Sequence, residues 1–405
     1  MPNHNRESRQ RAHLAIKAFN FFVYGAIAVY TSYFPLYLLS QGMSKMEIGA
    51  LIAGGPFISI FANPFWGYWS DRLQQVKRIL LVMLAGNLAV MQLVFASREY
   101  LWIYGFMLLF FFFQMPLFSQ SNALILNSIE GTRHKFGAFR LWGSLGWGLL
   151  AAAGGPLIGM LGIGRLWIVY SALLSVAIIF ALSLPKGDTG QKASFSNQGY
   201  RGLFRNRPFL MLMGIGVLVS IPNSMNAAFI PIYISELGGD ASLIGLSAFL
   251  SSIFEIPVFL LLDRYLKKDA VTMVTGLILV SLLFALRWLL MSAAGHPYQL
   301  LAVQTLNSLT FGGYYYIGTQ LTASLVPAAY RSSGQAAYAL TWGGLSGIAA
   351  GLFGGWLFQE QGPAVMYGTG MWMSLAGAAG FLLMLQRVRR TQPSADRDRD
   401  SSAQM

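Results

Sequence analysis

A bilayer core asks for about 20 consecutive apolar residues per helical crossing, and this chain meets that demand twelve times. Cutting the sequence at charges, prolines and glycines leaves apolar segments at 14–39, 45–69, 78–97, 100–128, 138–160, 164–184, 208–235, 242–262, 271–294, 298–326, 334–358 and 363–386. Backbone N–H and C=O groups in hydrocarbon have no water to bond, so segments of this length are expected as helices. Composition agrees. Only 11% of the 405 residues are charged, where a soluble domain carries about 25%. The expectation is an all-α membrane protein in contact with the lipid bilayer on all sides. The segment behind the basic start MPNHNRESRQR runs to about Leu39, too long for a signal-peptide core, and reads as the first span.

Connections between spans are short except at 185–207, PKGDTGQKASFSNQGYRGLFRNR, a polar stretch with five cations. It divides the chain into an N-terminal segment 1–13, a six-helix bundle 14–184, a linker 185–207, a second six-helix bundle 208–386, and a solvated, disordered tail 387–405. Of 28 Lys and Arg residues, 24 fall on the side that holds both termini, three (Lys45, Arg98, Arg165) on the other, and Arg287 within a span. The positive-inside rule then makes both termini cytoplasmic and places the chain in the cytoplasmic (inner) membrane. The same distribution accounts for the net charge of +13. Nucleic-acid binding, which gathers cations on one face, is excluded.

The halves repeat. Pro35-Leu-Tyr37 and Ile48-Gly49 recur 196 residues on as Pro231-Ile-Tyr233 and Ile244-Gly245; Trp142-Gly143 and Gly154-Gly155 recur 200 residues on as Trp342-Gly343 and Gly354-Gly355. Six spans per half make both halves run in the same sense, which predicts two bundles related by a pseudo-twofold along the membrane normal. Gly343, Gly347, Gly351 and Gly355 stand four apart on one helix face. Small residues at that spacing let backbones approach closely. They serve either static packing or a smooth ridge on which one bundle rocks.

Few residues can carry chemistry inside such a shell. There is no cysteine, and the four histidines lie at or beyond the ends of apolar runs, so no metal site or cofactor is expected. No G-x-x-x-x-G-K-[ST] loop occurs, so ATP hydrolysis is not expected. Glu255 is the one acid well inside a span and Arg287 the one deep cation. Intramembrane ionisable residues are functional candidates by default. The two either pair directly or both face a central cavity and meet through substrate or water. If both face the cavity, Glu255 is the best available proton carrier, and Arg287 is the second candidate for coupling. Pro257, two residues on, interrupts the helix ladder beside it.

Polar and aromatic residues at helical spacing suggest a cavity lining. They are Asn20, Tyr24 and Thr31 in the first span; Gln114, Phe118 and Asn122 in the fourth; Asn223 and Asn226 in the seventh; and Gln304, Asn307, Phe311 and Tyr314 in the tenth. Any one of these serves equally well in interhelical hydrogen bonding; four spans together favour a cavity. Arg140, near the inner end of the fifth span, is explained either by topology or by an anionic group on the substrate.

The stretch GYWSDRLQQVKR at 67–78 resembles the G-x-x-x-D-R-x-G-R-R/K loop between spans two and three of the major facilitator superfamily, with Gly67, Asp71 and Arg72 matching, Gln74 in place of the second glycine, and cations at Lys77 and Arg78. Within that superfamily the chain is similar to the branch holding lactose permease, phenylpropionate permeases and nucleoside–proton symporters. Tyr33-Phe-Pro-Leu-Tyr-Leu38, Lys45-Met-Glu-Ile-Gly49, Phe136-Gly-Ala-Phe-Arg-Leu-Trp-Gly-Ser-Leu-Gly-Trp147 and Leu309-Thr-Phe-Gly312 carry the likeness. The resemblance implies twelve helices in two bundles, an inner-side charge latch at 67–78, and a substrate site that includes Arg140 and Trp147. It also exposes departures. The position of the span-four carboxylate that partners the span-five arginine is Asn122, and the span-ten His and Glu positions are Asn307 and Thr310, which do not titrate.

The function expected is alternating-access transport of a small organic solute (a sugar, nucleoside or aromatic acid) in symport with protons, by a functional monomer. An uncoupled facilitator, a proton-driven exporter and a solute-sensing receptor are the alternatives. A membrane-embedded enzyme is disfavoured, because one buried carboxylate and no buried histidine do not make a hydrolytic centre.

Overall fold

A computed structural model describes residues 2–73, 75–129, 136–185, 206–267, 269–327 and 331–391. All its regular structure is helical. The first bundle comprises α1 (Pro2–Ser40), α2 (Lys45–Leu73), α3 (Val76–Ala96), α4 (Tyr100–Gln114), α5 (Leu117–Ile129), α6 (Phe136–Leu161) and α7 (Leu166–Leu182). The second comprises α8 (Arg207–Glu236), α9 (Ala241–Ile253), α10 (Glu255–Tyr265), α11 (Ala270–Ser292), α12 (Pro297–Gln304), α13 (Gly313–Leu325), α14 (Arg331–Ala339), α15 (Ser346–Glu360) and α16 (Gly362–Thr391). Among the described residues, eleven helical stretches are long and apolar enough to cross a membrane. The expected span 298–326 is the twelfth crossing. It is interrupted between α12 and α13, where Ser308–Gly312 widens into a π-helix. The expected linker falls mostly on 186–205, outside the described residues. The first helix begins at Pro2 rather than at 14, and the last continues to Thr391; the rest of the expected tail also lies outside.

Prolines explain two of the breaks. A proline lacks an N–H and its ring clashes with the carbonyl four residues back. Pro257 stands four residues after Ile253, where α9 ends, and α10 starts at Glu255. Two residues before Ile253, the Ser251 carbonyl accepts from Asn307 Nδ2 at 2.9 Å and from Ser308 Oγ at 3.3 Å. Pro116 stands four residues after Phe112, whose carbonyl instead accepts from the Trp66 indole at 2.9 Å. At both breaks a side chain from another helix thus bonds a backbone carbonyl, which hydrocarbon leaves no water to do.

The bundles meet along two seams, α2 against α15 and α6 against α9. The repeat relates these seams to each other. A Cβ on Gly351 would lie 2.4 Å from the Gly49 carbonyl oxygen, and a Cβ on Gly245 would lie 2.4 Å from the Ala151 carbonyl oxygen. Position 49 corresponds to 245 at an offset of 196, and 151 to 351 at 200. The glycine face therefore packs against the opposite bundle.

Further contacts tie the bundles at the end that bears the turns 41–44, 237–240 and Gln361. Lys45 forms an ion pair with Glu236, and its ammonium sits 4.7 Å from the centre of the Phe358 ring. The Met46 amide donates to Gln359 Oε1 at 3.1 Å. The Tyr33 hydroxyl donates to Ala151 O at 2.7 Å and reaches Ala241 O at 3.3 Å. Six of the eight residues from Ile48 to Gly55 are buried. Between Phe57 and Trp69 only Ala62 and Trp66 are. Tight packing is thus confined to the half of α2 farther from the chain termini.

Candidate functional site: a cavity between the bundles

A cavity of about 570 Å³ lies between the bundles, of a size suited to a small organic molecule. Tyr24, Thr31, Phe118, Arg140 and Trp147 line it from the first bundle; Asn223, Asn226, Glu255, Gln304, Asn307 and Phe311 line it from the second. Arg140 and Glu255 line the same space from opposite bundles. The helix break at Phe254 sets Glu255 at the first position of α10, on the cavity wall. The Arg140 guanidinium lies 4.3 Å from the centre of the Tyr24 ring, a cation–π contact that holds it without neutralising it. Three buried polar atoms on the wall have no hydrogen-bond partner among the described residues: Tyr24 Oη, Arg140 Nη1 and Asn223 Oδ1. Buried polar groups are normally paired, so these three atoms on the wall are available to bond a molecule in the cavity.

Several residues expected on the lining stand behind it. Asn20 is fully buried, donating to Ile16 O at 2.8 Å and accepting from Ser121 at 2.6 Å. It clamps α1 to α5. Gln114 accepts from Asn87 Nδ2, which ties α4 to α3. Asn122 and Tyr314 are also absent from the wall; Tyr314 stacks on Trp342 at 4.8 Å. A polar stripe on a helix reports direction around the axis but not what covers it at each depth.

Arg287 is corrected on both expected readings. It neither pairs with Glu255 nor reaches the cavity. It is fully buried, 4.6 Å from the Trp288 ring centre, and donates to Gln304 Oε1 at 2.5 Å, Asn307 Oδ1 at 2.9 Å and Thr310 Oγ1 at 3.0 Å. Its partners Gln304 and Asn307 line the cavity in its place.

Ser144, Ser251, Ser252, Gly343 and Gly347 also stand on the wall, without a polar stripe in the sequence to mark them. The Ser251-Ser252 pair just ahead of Glu255 was the available signal. Of the loop at 67–78, Gly67 lies in open space and Arg72 donates to the Tyr68 hydroxyl at 3.1 Å. Arg78 is exposed. Lys77 Nζ donates to Leu182 O at 2.6 Å, where a cation suits the carbonyl end of α7. The Asp71 side chain and Gln74 lie outside the described residues.

The model of the MFS_1 like family matches residues 13–369. The chain belongs to this family. It is a membrane transporter of the major facilitator type, and not an enzyme. It is 27% identical over 382 residues to a maltose permease of Geobacillus stearothermophilus, covering 93% of this chain and 94% of the permease. It is 24% identical over 363 residues to a probable 3-phenylpropionic acid transporter of Escherichia coli K12, covering 86% and 90%. The crystal structure of the nucleoside transporter NupG (D323A mutant) superposes with a TM-score of 0.81 at 15% identity, over 92% of this chain and 99% of that one. That likeness extends to the fold, while the transporter's own polar wall is read from its residues.

Proposed function

We propose that this transporter moves a small neutral or anionic organic solute across the cytoplasmic membrane by alternating access, in symport with protons, with Glu255 as the proton carrier and both termini cytoplasmic. One observation carries the reading: an acid from one bundle and a cation from the other share a cavity whose far end is packed shut. Binding at a bundle interface gives each half a hold on the solute, so occupancy can govern their rocking. With the termini inside, the packed end is the outer gate and the conformation faces inward. The loop at 67–78 serves as an inner latch, and the transporter acts as a monomer. The likeness to a maltose permease, a probable 3-phenylpropionic acid transporter and a nucleoside transporter supports sugars, aromatic acids and nucleosides as the solutes to try.

The test is counterflow of labelled maltose, uridine and 3-phenylpropionate in proteoliposomes, followed by accumulation under an imposed proton gradient. Exchange of one solute, with accumulation abolished by an uncoupler, is expected. Exchange without gradient-driven accumulation would favour an uncoupled facilitator. Asn307 and Thr310, neutral and both held by Arg287, support that second reading. No exchange of any of the three would remove these solute classes.

The gate ion pair makes a smaller prediction. Lys45 and Glu236 are partly exposed, at 24% and 33%, and such pairs are worth about 0–1 kcal/mol. Glu236→Gln is expected to raise outer-side maleimide labelling of an Ala227→Cys reporter in the cavity by no more than about fivefold, and less so in high salt. A larger, salt-independent rise would show that the pair does more than trim the gate.

A further inference from the structure

The buried hub around Arg287 has a counterpart in the first bundle, and the difference between the two bears on solute recognition. Asn87, Gln114 and Tyr170 meet in the first bundle. Arg287, Gln304 and Tyr367 stand 200, 190 and 197 residues further on. The first hub is neutral throughout: the Tyr170 hydroxyl donates to Asn87 Oδ1, and Asn87 Nδ2 donates to Gln114 Oε1. Gln114 does not reach the cavity.

In the second hub a guanidinium replaces the amide of Asn87. A guanidinium carries donors and no acceptor. An amide side chain beside a neutral partner can be turned either way, but beside Arg287 only its oxygen can face inward. The contacts obey this: Gln304 Oε1 and Asn307 Oδ1 both accept from Arg287. Asn307 spends its nitrogen on Ser251 O. Gln304 Nε2 has no hydrogen-bond partner among the described residues, and Gln304 is on the cavity wall.

We propose that Arg287 is a positioning residue for solute recognition: by holding the oxygen of Gln304, it commits this wall to presenting an N–H donor, so the transported solute places an acceptor oxygen (hydroxyl, carbonyl or carboxylate) against Gln304. The inference rests on the cavity being the solute site. What Arg287 supplies is the geometry of its fork, because the guanidinium itself is buried behind the wall.

Two variants test it in counterflow with whichever of maltose, uridine and 3-phenylpropionate the wild type exchanges. Arg287→Lys keeps the charge on a compact ammonium that cannot hold the planar fork of acceptors. Gln304→Glu keeps the shape, pairs with Arg287, and replaces the donor with a second carboxylate oxygen. Both are expected to raise KM about tenfold, the effect of one lost hydrogen bond in a site, with Vmax within about twofold. The Gln304→Glu protein is expected to melt no lower than the wild type, since its new charge is paired. An unchanged KM in folded Gln304→Glu protein would overturn the proposal. So would an Arg287→Lys protein with lower Vmax and melting temperature but unaltered KM, which would assign Arg287 to packing alone. A wild type that exchanges none of the three solutes overturns the solute-site reading, and this inference with it. Exchange with unaltered KM in both variants overturns this inference only.

Discussion

Replacing Glu255 with Gln is expected to abolish accumulation under a proton gradient while leaving counterflow of the same solute intact. Glu255 is the only carboxyl group on the cavity wall among the described residues. Glutamine keeps its length and hydrogen-bonding shape but cannot gain or lose a proton. Moving one charge through a 100 mV potential is worth about 2.3 kcal/mol, which corresponds to roughly fortyfold accumulation of a neutral solute such as maltose per proton carried. Glu255→Gln protein in proteoliposomes is therefore expected to fall from a ratio of that order to about one. Counterflow needs no proton turnover and is expected to persist. Unchanged accumulation would take the coupling role away from Glu255. Loss of both activities would show instead that the carboxylate binds the solute, in company with Arg140 across the cavity.

The second large effect concerns the outer gate. Gly351→Val is expected to hold the transporter open to the outside and to stop turnover. The Cβ of any residue at 351 falls 2.4 Å from the Gly49 carbonyl oxygen, 2.8 Å from Ala53 Cβ and 2.9 Å from the Ala53 nitrogen. Two of these three atoms are backbone and cannot rotate away, so α2 and α15 must separate. Overpacking of this kind costs about 1–3 kcal/mol, and here it burdens only the state in which the seam is closed. The equilibrium between the two facings then shifts by about 5- to 150-fold towards the outward-open form. The absence of native cysteine makes a single Ala227→Cys reporter clean. Its labelling by an impermeant maleimide from outside is expected to rise by at least about fivefold, while transport falls to background. Labelling no faster than in the parent would mean that the seam stays shut in both states, and alternating access through it would fail.

How far the sequence carried the structure can be seen at particular residues. The twelve crossings were legible because lipid imposes one length and one composition on every spanning helix. The pseudo-twofold was legible from recurring pairs such as Ile48-Gly49 and Ile244-Gly245, and the glycine seams realise it. Glu255 and Arg140 were candidates on chemistry alone, and the fold brings them to one cavity. Asn20 and Gln114 looked equally promising, yet each is spent on a neighbouring helix.

What the chain determined by itself was the set of one-dimensional properties: how many times it crosses the bilayer, which ends share a side, where prolines free a carbonyl, and which few ionisable groups enter the hydrocarbon. These follow from local composition, since each helix must satisfy its own backbone in lipid. Only the tertiary structure decided which polar groups are left without partners. Whether Arg287 faces Glu255 or a cage of Gln304, Asn307 and Thr310 depends on distances between α10, α11 and the broken tenth span, and helical periodicity contains no such distances.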